Sequence, residues 1–301
     1  MENNTRRALV GAIQKFSTED GPGIRATVFL KGCPLRCPWC HNRETWLPAP
    51  SLLYYAKECV LCGACAAACT KGVHEFIGSQ HLMRREKCAA CGNCARECPT
   101  GALELRGETC TPEELLDLVC RDRPFYKQSG GGVTFSGGEP LMQFDFVKQC
   151  LHLLRDGGVH ICLDTSGWGG HAAELAPLVD LFLWDIKHTD AEKHRALTGV
   201  ELAPILQSLR KTDERGAKIR IRCPIIPEVN ATEEHLRAVG KIAQPLKHLE
   251  GIDLVPYHPL GLSKSAALGV DTPEYRLLMA EEKAFLLSVL QGGVQVPVQW
   301  L

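Results

Sequence analysis

The chain has 301 residues, a formal net charge of −1 and a pI near 6.8. This balance excludes a nucleic-acid or membrane-surface partner held by bulk charge. No stretch approaches the roughly 18 apolar residues of a membrane helix. The polar start, 1–4, lacks the apolar core of a signal peptide. Of sixteen cysteines, eleven fall in three tight metal-type clusters, which must stay reduced. A soluble, cytoplasmic monomer is expected. Its setting should be anaerobic, because oxygen damages exposed iron–sulfur centres. The length suits one large α/β domain with a small module.

In chain order, residues 8–30 read as two short strands around the turn Asp20-Gly21-Pro22-Gly23. Next comes a loop carrying Cys33, Cys37 and Cys40 at C-x3-C-x2-C spacing. A [4Fe–4S] cube ordinarily takes four cysteines, so three leave one iron open to a small molecule. His41 could supply the fourth ligand, and a Cys3His zinc knuckle is the plainer alternative.

Residues 51–104 are cysteine-dense and helix-poor. Cys59, Cys62, Cys65 and Cys69 form C-x2-C-x2-C-x3-C, and Cys88, Cys91, Cys94 and Cys98 repeat it. The duplication resembles a bacterial two-cluster ferredoxin, in which the fourth cysteine of each run ligates the other cluster. That resemblance joins Cys98 to Cys59, Cys62 and Cys65, and Cys69 to Cys88, Cys91 and Cys94. Thr70 stands where the pattern has proline, which weakens the turn signal but removes no ligand. Two zinc ribbons are the bland reading. Six Lys and Arg against five acidic residues make this segment less acidic than free ferredoxins.

From Thr111 helix and strand alternate. Thr111-Pro112-Glu113-Glu114 is a capping box opening a helix to about Arg121. Strands are expected at 132–136, 160–164, 181–187, 219–226 and 252–257. Helices are expected at 143–155, 171–178, 202–215, 232–244 and 273–290. With the strand at 26–30 this makes six parallel β/α units, an open or incomplete barrel.

In such barrels reactive groups gather at the C-terminal ends of the strands. Ser136-Gly137-Gly138-Glu139-Pro140 ends one strand, with glycines that allow close backbone approach and a carboxylate able to receive an ammonium. Asp164-Thr165-Ser166-Gly167 ends the next. Alone, the first would be a turn and the second an N-cap. Period-2 geometry puts Leu183, Asp185 and Lys187 on one face; a structural ion pair is the dull reading. Arg220 and Arg222 lie opposite the apolar Ile219, Ile221, Cys223 and Ile225. Tyr257-His258-Pro259 ends the last strand. Together these groups suit a zwitterionic amino acid, and one that could also chelate an open iron is S-adenosylmethionine. Cys110, Cys120, Cys150, Cys162 and Cys223 fall outside the clusters and read as small buried hydrophobes.

These motifs resemble the radical S-adenosylmethionine (SAM) enzymes. More narrowly, 32–46, 136–140, 164–167, Asp185-Ile186-Lys187 and 255–258 resemble the activating enzymes of glycyl radical enzymes, similar to pyruvate formate-lyase activase. The match covers nearly the whole chain. The insert is similar to the subclass serving other glycyl radical enzymes, such as choline lyase or hydroxyproline dehydratase. The resemblance implies an α/β fold, a partial (β/α)6 TIM-like barrel over 1–50 and 105–301, with a ferredoxin-like 2×[4Fe–4S] insert at 51–104. It implies that Trp39 stacks near the adenine and that Gly137, Gly138 and Glu139 hold the methionyl amine. Lys187 and Arg222 would meet the carboxylate. Asp164, Thr165 and Asp185 with the Leu183 carbonyl match a monovalent-cation site, and His258 would sit by the ribose or methionyl portion.

The implied activity is reductive cleavage of SAM at the cluster of Cys33, Cys37 and Cys40. The resulting 5′-deoxyadenosyl radical would take a Cα hydrogen from a glycine of the partner enzyme. A flavodoxin or ferredoxin would supply electrons, through the two auxiliary clusters or directly. Two rivals stand beside it: another radical SAM peptide-modifying maturase, whose auxiliary cysteines mainly follow the barrel, and a non-enzymatic electron carrier, for which 51–104 alone would suffice.

Overall fold

The computed structural model describes residues 7–301; the polar start, 1–4, lies outside them. The chain opens with β1 (Ala8–Ser17) and β2 (Arg25–Leu30), paired antiparallel. After the cysteine loop come β3 (Ser51–Tyr54), α1 (Ala64–Ala68), β4 (His74–Ile77), β5 (Gln80–Met83), α2 (Asn93–Arg96) and β6 (Leu103–Arg106). Pairing of β3 with β6, Ser51 opposite Arg106, closes this segment into a module on a two-stranded stem. β7 (Glu108–Cys110) then returns to pair with β1.

The remainder alternates as α3 (Pro112–Val119), α4 (Arg123–Ser129), β8 (Gly132–Gly137), α5 (Phe144–Asp156), β9 (His160–Thr165), α6 (Ala172–Leu175) and β10 (Leu181–Asp185). It continues with α7 (Ala191–Thr198), α8 (Leu202–Glu214), β11 (Ile219–Ile225), α9 (Glu233–Ala243), β12 (Leu249–Pro256), α10 (Gly261–Leu268), α11 (Ala280–Gln291) and β13 (Val298–Trp300). Among the described residues, one nine-stranded sheet runs β13-β12-β11-β10-β9-β8-β2-β1-β7. β2 and β8 to β12 are the six expected parallel strands, in sequence order.

Alternation sorts the strand residues onto two faces. Val133, Phe135, Ile161, Leu163, Phe182, Trp184, Ile221 and Leu254 join the main core under the helices. Thr134, Cys162, Asp164, Leu183, Asp185, Arg220, Arg222 and Asp253 share the other face. In register, Leu183 pairs with Asp164 and Arg220, and Arg222 with Asp185 and Asp253. The turn between β1 and β2 lies on this inner face. Its Asp20 carboxylate accepts from Ser17 and Thr27, yet lies 3.6 Å from Arg222 on β11. In a flat sheet β2 and β11 would be about 19 Å apart, four strand spacings. The sheet therefore curls around the turn.

Several element ends differ from expectation. The helix expected from Thr111 stops at Val119 and is followed by the separate α4; its capping box is present as expected. The 171–178 helix shrinks to Ala172–Leu175. The last helix starts at Ala280, not 273. Glu282 caps the Met279 N–H and is held by Arg276, so residues before Met279 run extended. α7 was missed although Asp190 caps it and Gly199 ends it in the left-handed region. No helix among the described residues is long and apolar enough to cross a membrane.

Candidate functional site

The loop after β2 is sewn to the loop after β8 by backbone bonds. Gly138 N–H donates to the Leu30 carbonyl and Glu139 N–H to the Gly32 carbonyl, at 2.8 and 2.7 Å. A Cβ at Gly138 would stand 2.2 Å from the Gly32 oxygen, and Gly137 holds φ +106°. The glycine pair is thus required by the close approach of two loops. This seam sets the cysteine loop directly above the strand ends.

Cys33, Cys37 and Cys40 enter one apolar nest with Leu35, Trp39, Ile226 and Tyr257. Cys33 feels the charges of Glu139, Cys37 and Cys40, while Cys37 feels Lys187, Cys40 and Asp185. Burial raises the pKa of all three, Cys37 to about 12. His41 packs on His258: its Nε2 lies 3.1 Å from the His258 carbonyl and its ring lies 4.0 Å from that of His258. Burial lowers the His41 pKa to about 4. His258 Nδ1 is buried with no partner.

Sequence reasoning did not foresee the supports of this loop. Lys264 on α10 donates to Asn42 and Glu44, at 2.8 and 2.9 Å. Arg43 donates to the Pro38 carbonyl and stacks on Trp46. Asn230 accepts from Ile226 N–H and donates to the Pro224 and Lys187 carbonyls. It fixes the backbone behind Lys187. No local signal marks an asparagine for this work.

At the strand ends Glu139 is fully buried, and both oxygens are occupied. One accepts from Leu141 N–H and Thr165 Oγ1, the other from Ser166 N–H and Oγ. A carboxylate offers about four lone-pair sites, so none remains for an ammonium. These bonds tie the loop after β8 to the turn after β9. Burial raises its pKa against the pull of these four donors.

Three carboxylates and two cations meet beside it. Asp164 accepts from Ser136 Oγ at 2.7 Å and lies 3.7 Å from Arg222, while its Oδ1 is buried without a partner. Burial and the Asp185 charge push the Asp164 pKa up to about 7 against the pull of Arg222. Burial alone would lower the Lys187 and Arg222 pKa values, but the surrounding acids outweigh it and both are raised. Asp20, Asp164 and Asp185 face Lys187 and Arg222, and Asp20 also feels the buried Arg25 guanidinium.

In the module, a small hollow is lined by Cys59, Cys62, Cys65 and Cys98 with Tyr54, Phe76 and His81. Cys94, raised by burial to about 11, feels Cys88 and Cys69. Cys98 of the second run thus lies with the first three cysteines of the first, and Cys69 lies near Cys94 of the second. Two cations clamp the module, one to the end of β2 and one to α10. Lys31 donates to Ser51 Oγ and the Arg106 carbonyl, and Arg85 to the Leu52 and Ala267 carbonyls.

Residues 27–239 match the family model of the radical SAM superfamily. The chain is 42% identical to the choline trimethylamine-lyase activating enzyme of Oleidesulfovibrio alaskensis, over 89% of each chain. It is 39% identical to the benzylsuccinate synthase activating enzyme of Thauera aromatica, over 95% of this chain and 93% of that one. The chain belongs to the radical SAM superfamily, among the activating enzymes of glycyl radical enzymes. The fold agrees with a radical SAM methyltransferase from Sphaerobacter thermophilus, with a TM-score of 0.57 over 97% of this chain and 77% of that one, at 13% identity.

Radical SAM enzymes carry a [4Fe–4S] cluster and bind SAM, and the residues present fit both. Burial holds three adjacent cysteines in an apolar nest back from ionising, although Cys37 and Cys40 feel Lys187; an iron cube supplies the charge that favours their thiolates. The carboxylates and cations gathered below it suit the zwitterionic methionyl end of SAM. The activating enzymes are enzymes, and the electron-carrier reading is not favoured.

Proposed function

We propose that Cys33, Cys37 and Cys40 hold the catalytic cluster, with the fourth iron left for the amine and carboxylate of SAM. The observation that carries this is the convergence of Cys33, Cys37 and Cys40 in one apolar nest over the strand ends, where Cys37 and Cys40 feel Lys187. The bound cluster supplies the electron that cleaves SAM. The chain's own residues bind and orient. Trp39 offers a face for the adenine, and unpartnered His258 Nδ1 offers a polar contact for the ribose. The backbone of Gly137 and Gly138, held in place by Glu139, receives the amine. Lys187 and Arg222 meet the carboxylate. Asp164, with its orphaned oxygen, Thr165, Asp185 and the Leu183 carbonyl form the monovalent-cation site, although the Thr165 hydroxyl already serves Glu139.

The curled open sheet reads as a partial (β/α)6 barrel, whose open edge admits a glycine loop of the partner enzyme. Reacting atoms must approach to about 3–3.5 Å. The module over 51–104 reads as a ferredoxin-like insert with two [4Fe–4S] clusters, one on Cys59, Cys62, Cys65 and Cys98, the other on Cys88, Cys91, Cys94 and Cys69. They relay electrons from a flavodoxin or ferredoxin in a reducing cytosol. The partner is a glycyl radical enzyme of the kind served by the two relatives, whose names point to different partners.

The test is anaerobic reconstitution with dithionite and SAM. Wild type releases 5′-deoxyadenosine and raises a glycyl radical signal in the cognate partner; the Cys33→Ala variant does neither. Release without any glycyl signal in a panel of such enzymes would return the reading to a peptide-modifying maturase.

A further inference from the structure

The two cysteine quartets of the insert are alike in sequence but not in surroundings. His81 on β5 lines the hollow of Cys59, Cys62, Cys65 and Cys98. Its Nδ1 lies 3.6 Å from Cys59 Sγ and its Nε2 3.9 Å from Cys65 Sγ. The ring is wedged between aromatic neighbours, stacked on Phe76 at 4.5 Å and tilted against Tyr54 at 4.5 Å. Behind it His74 on β4, also buried, places Nδ1 2.9 Å from His81 Nε2. Among the described residues, no histidine contact is found at Cys69, Cys88, Cys91 or Cys94; there the backbone N–H of Ala90 meets Cys88 Sγ at 3.4 Å.

The geometry restricts the protons. A contact of 2.9 Å between two ring nitrogens needs one donor and one acceptor. If His81 donates from Nε2, its neutral ring presents a bare Nδ1 lone pair to a metal-bound cysteine sulfur, itself an acceptor, and the two repel. If His74 donates from Nδ1, His81 Nε2 accepts and His81 Nδ1 carries the proton, which then points at Cys59 Sγ. His74 Nε2 is left as a bare acceptor, and it is indeed buried without a partner. An unfilled acceptor is the more tolerable orphan. The second arrangement satisfies the sulfur; the first does not.

We propose that His81, its tautomer set by His74, donates a hydrogen bond to the Cys59 sulfur and holds the cluster on Cys59, Cys62, Cys65 and Cys98 at a higher reduction potential than its twin. Hydrogen bonds to ligating sulfurs stabilise the more negative, reduced cluster and raise its potential. The insert then carries two unequal electron sites, and the one beside His81 takes an electron first. His81 is a positioning residue for charge; it touches neither SAM nor the partner's glycine. This inference rests on the reading of the insert as a two-cluster module.

The experiment uses the full chain with Cys33, Cys37 and Cys40 replaced by alanine, so that only the auxiliary clusters report. Iron and sulfide counts near two [4Fe–4S] clusters establish the module; a count near zero or a zinc content overturns the module reading itself. With the module established, a potentiometric titration followed by electron paramagnetic resonance resolves two midpoints. His81→Phe is expected to lower the higher midpoint and leave the other unmoved, with unchanged iron. His81→Asn, which keeps a donor near the Nδ1 position, is expected to restore most of the shift. Among the proton couplings on the reduced cluster that vanish on transfer to deuterated buffer, one should be present in the wild-type insert and His81→Asn and missing in His81→Phe, while those of the backbone N–H groups remain in all three. Equal midpoints in the parent, or a His81→Phe variant with both midpoints and the coupling unchanged, overturns the proposal. Where His81→Phe loses iron, the coupling and the two midpoints of the parent decide alone.

Discussion

Lys187 Nζ stands 2.7 Å from Asp185 Oδ2, two residues along the same face where β10 runs out. Both groups are largely buried, with about a fifth of each side chain exposed. The pair forms part of the floor beneath the three-cysteine loop. A removed partner would leave a buried charge uncompensated, which costs more than the bond itself.

Lys187→Met is therefore expected to weaken SAM binding by about ten- to hundredfold, the worth of one charge-assisted hydrogen bond. Calorimetric titration of the reconstituted protein with SAM measures it. Asp185→Asn should weaken binding too, by releasing Lys187 from its place. An unchanged affinity in Lys187→Met would remove this residue from the SAM site.

Asp164 makes the apo protein sensitive to pH. Its folded pKa of about 7 lies above the ordinary carboxylate value of 3.8. The native state holds this proton more tightly than the unfolded state, so stability falls as pH rises from about 4 to 7 and the loss is complete above that window. Asp164→Asn stays neutral throughout. The melting temperature of wild type relative to this variant should fall by some degrees across the window and level off beyond it. A monovalent cation bound between Asp164 and Asp185 would lower the pKa and flatten the slope. Melting in potassium or sodium chloride against choline chloride measures that.

How much of this was legible beforehand follows from the range of each interaction. The inward row Leu183, Asp185 and Lys187 could be read because strand periodicity is local. So could the six parallel units, since each strand and helix carries its own pattern. The surroundings of Glu139 could not be read: its donors Thr165 and Ser166 lie on the next loop, and only the folded chain brings them to it. The start of α11 was misplaced because an ion pair between Arg276 and Glu282 sets the entry, and propensity does not encode such a bond. α7 carried ordinary signals in Asp190 and Gly199. It was passed over beside the stronger strand pattern before it.

Glu139→Gln tests whether that residue ties two loops together or meets the ligand itself. The amide nitrogen brings two hydrogens to a place where donors already point, so at least one of Thr165 or Ser166 loses its acceptor. A loss of about 1–3 kcal/mol in stability is expected, with weaker SAM binding as the 165–167 turn loosens. Chemical denaturation gives the first and titration the second. Loss of SAM binding at unchanged stability would instead mean that Glu139 meets the ligand directly.

The crossing of the two cysteine runs gives a test that needs no partner enzyme. Cys98 lies with Cys59, Cys62 and Cys65 around one hollow, and Cys69 near Cys88 and Cys94. A cube keeps its corner iron poorly when one of four thiolates is lost, so each single substitution should disturb one cluster. Cys98→Ala is expected to alter the spectrum of the cluster beside His81, and Cys69→Ala that of its twin. Combining Cys98→Ala with Cys59→Ala should add little to the iron already lost, because both strike the same cube. Combining Cys98→Ala with Cys88→Ala should add a second loss of up to about four irons. If the first pair were additive and the second not, each run would hold its own cluster, and the crossed arrangement of the insert would be wrong.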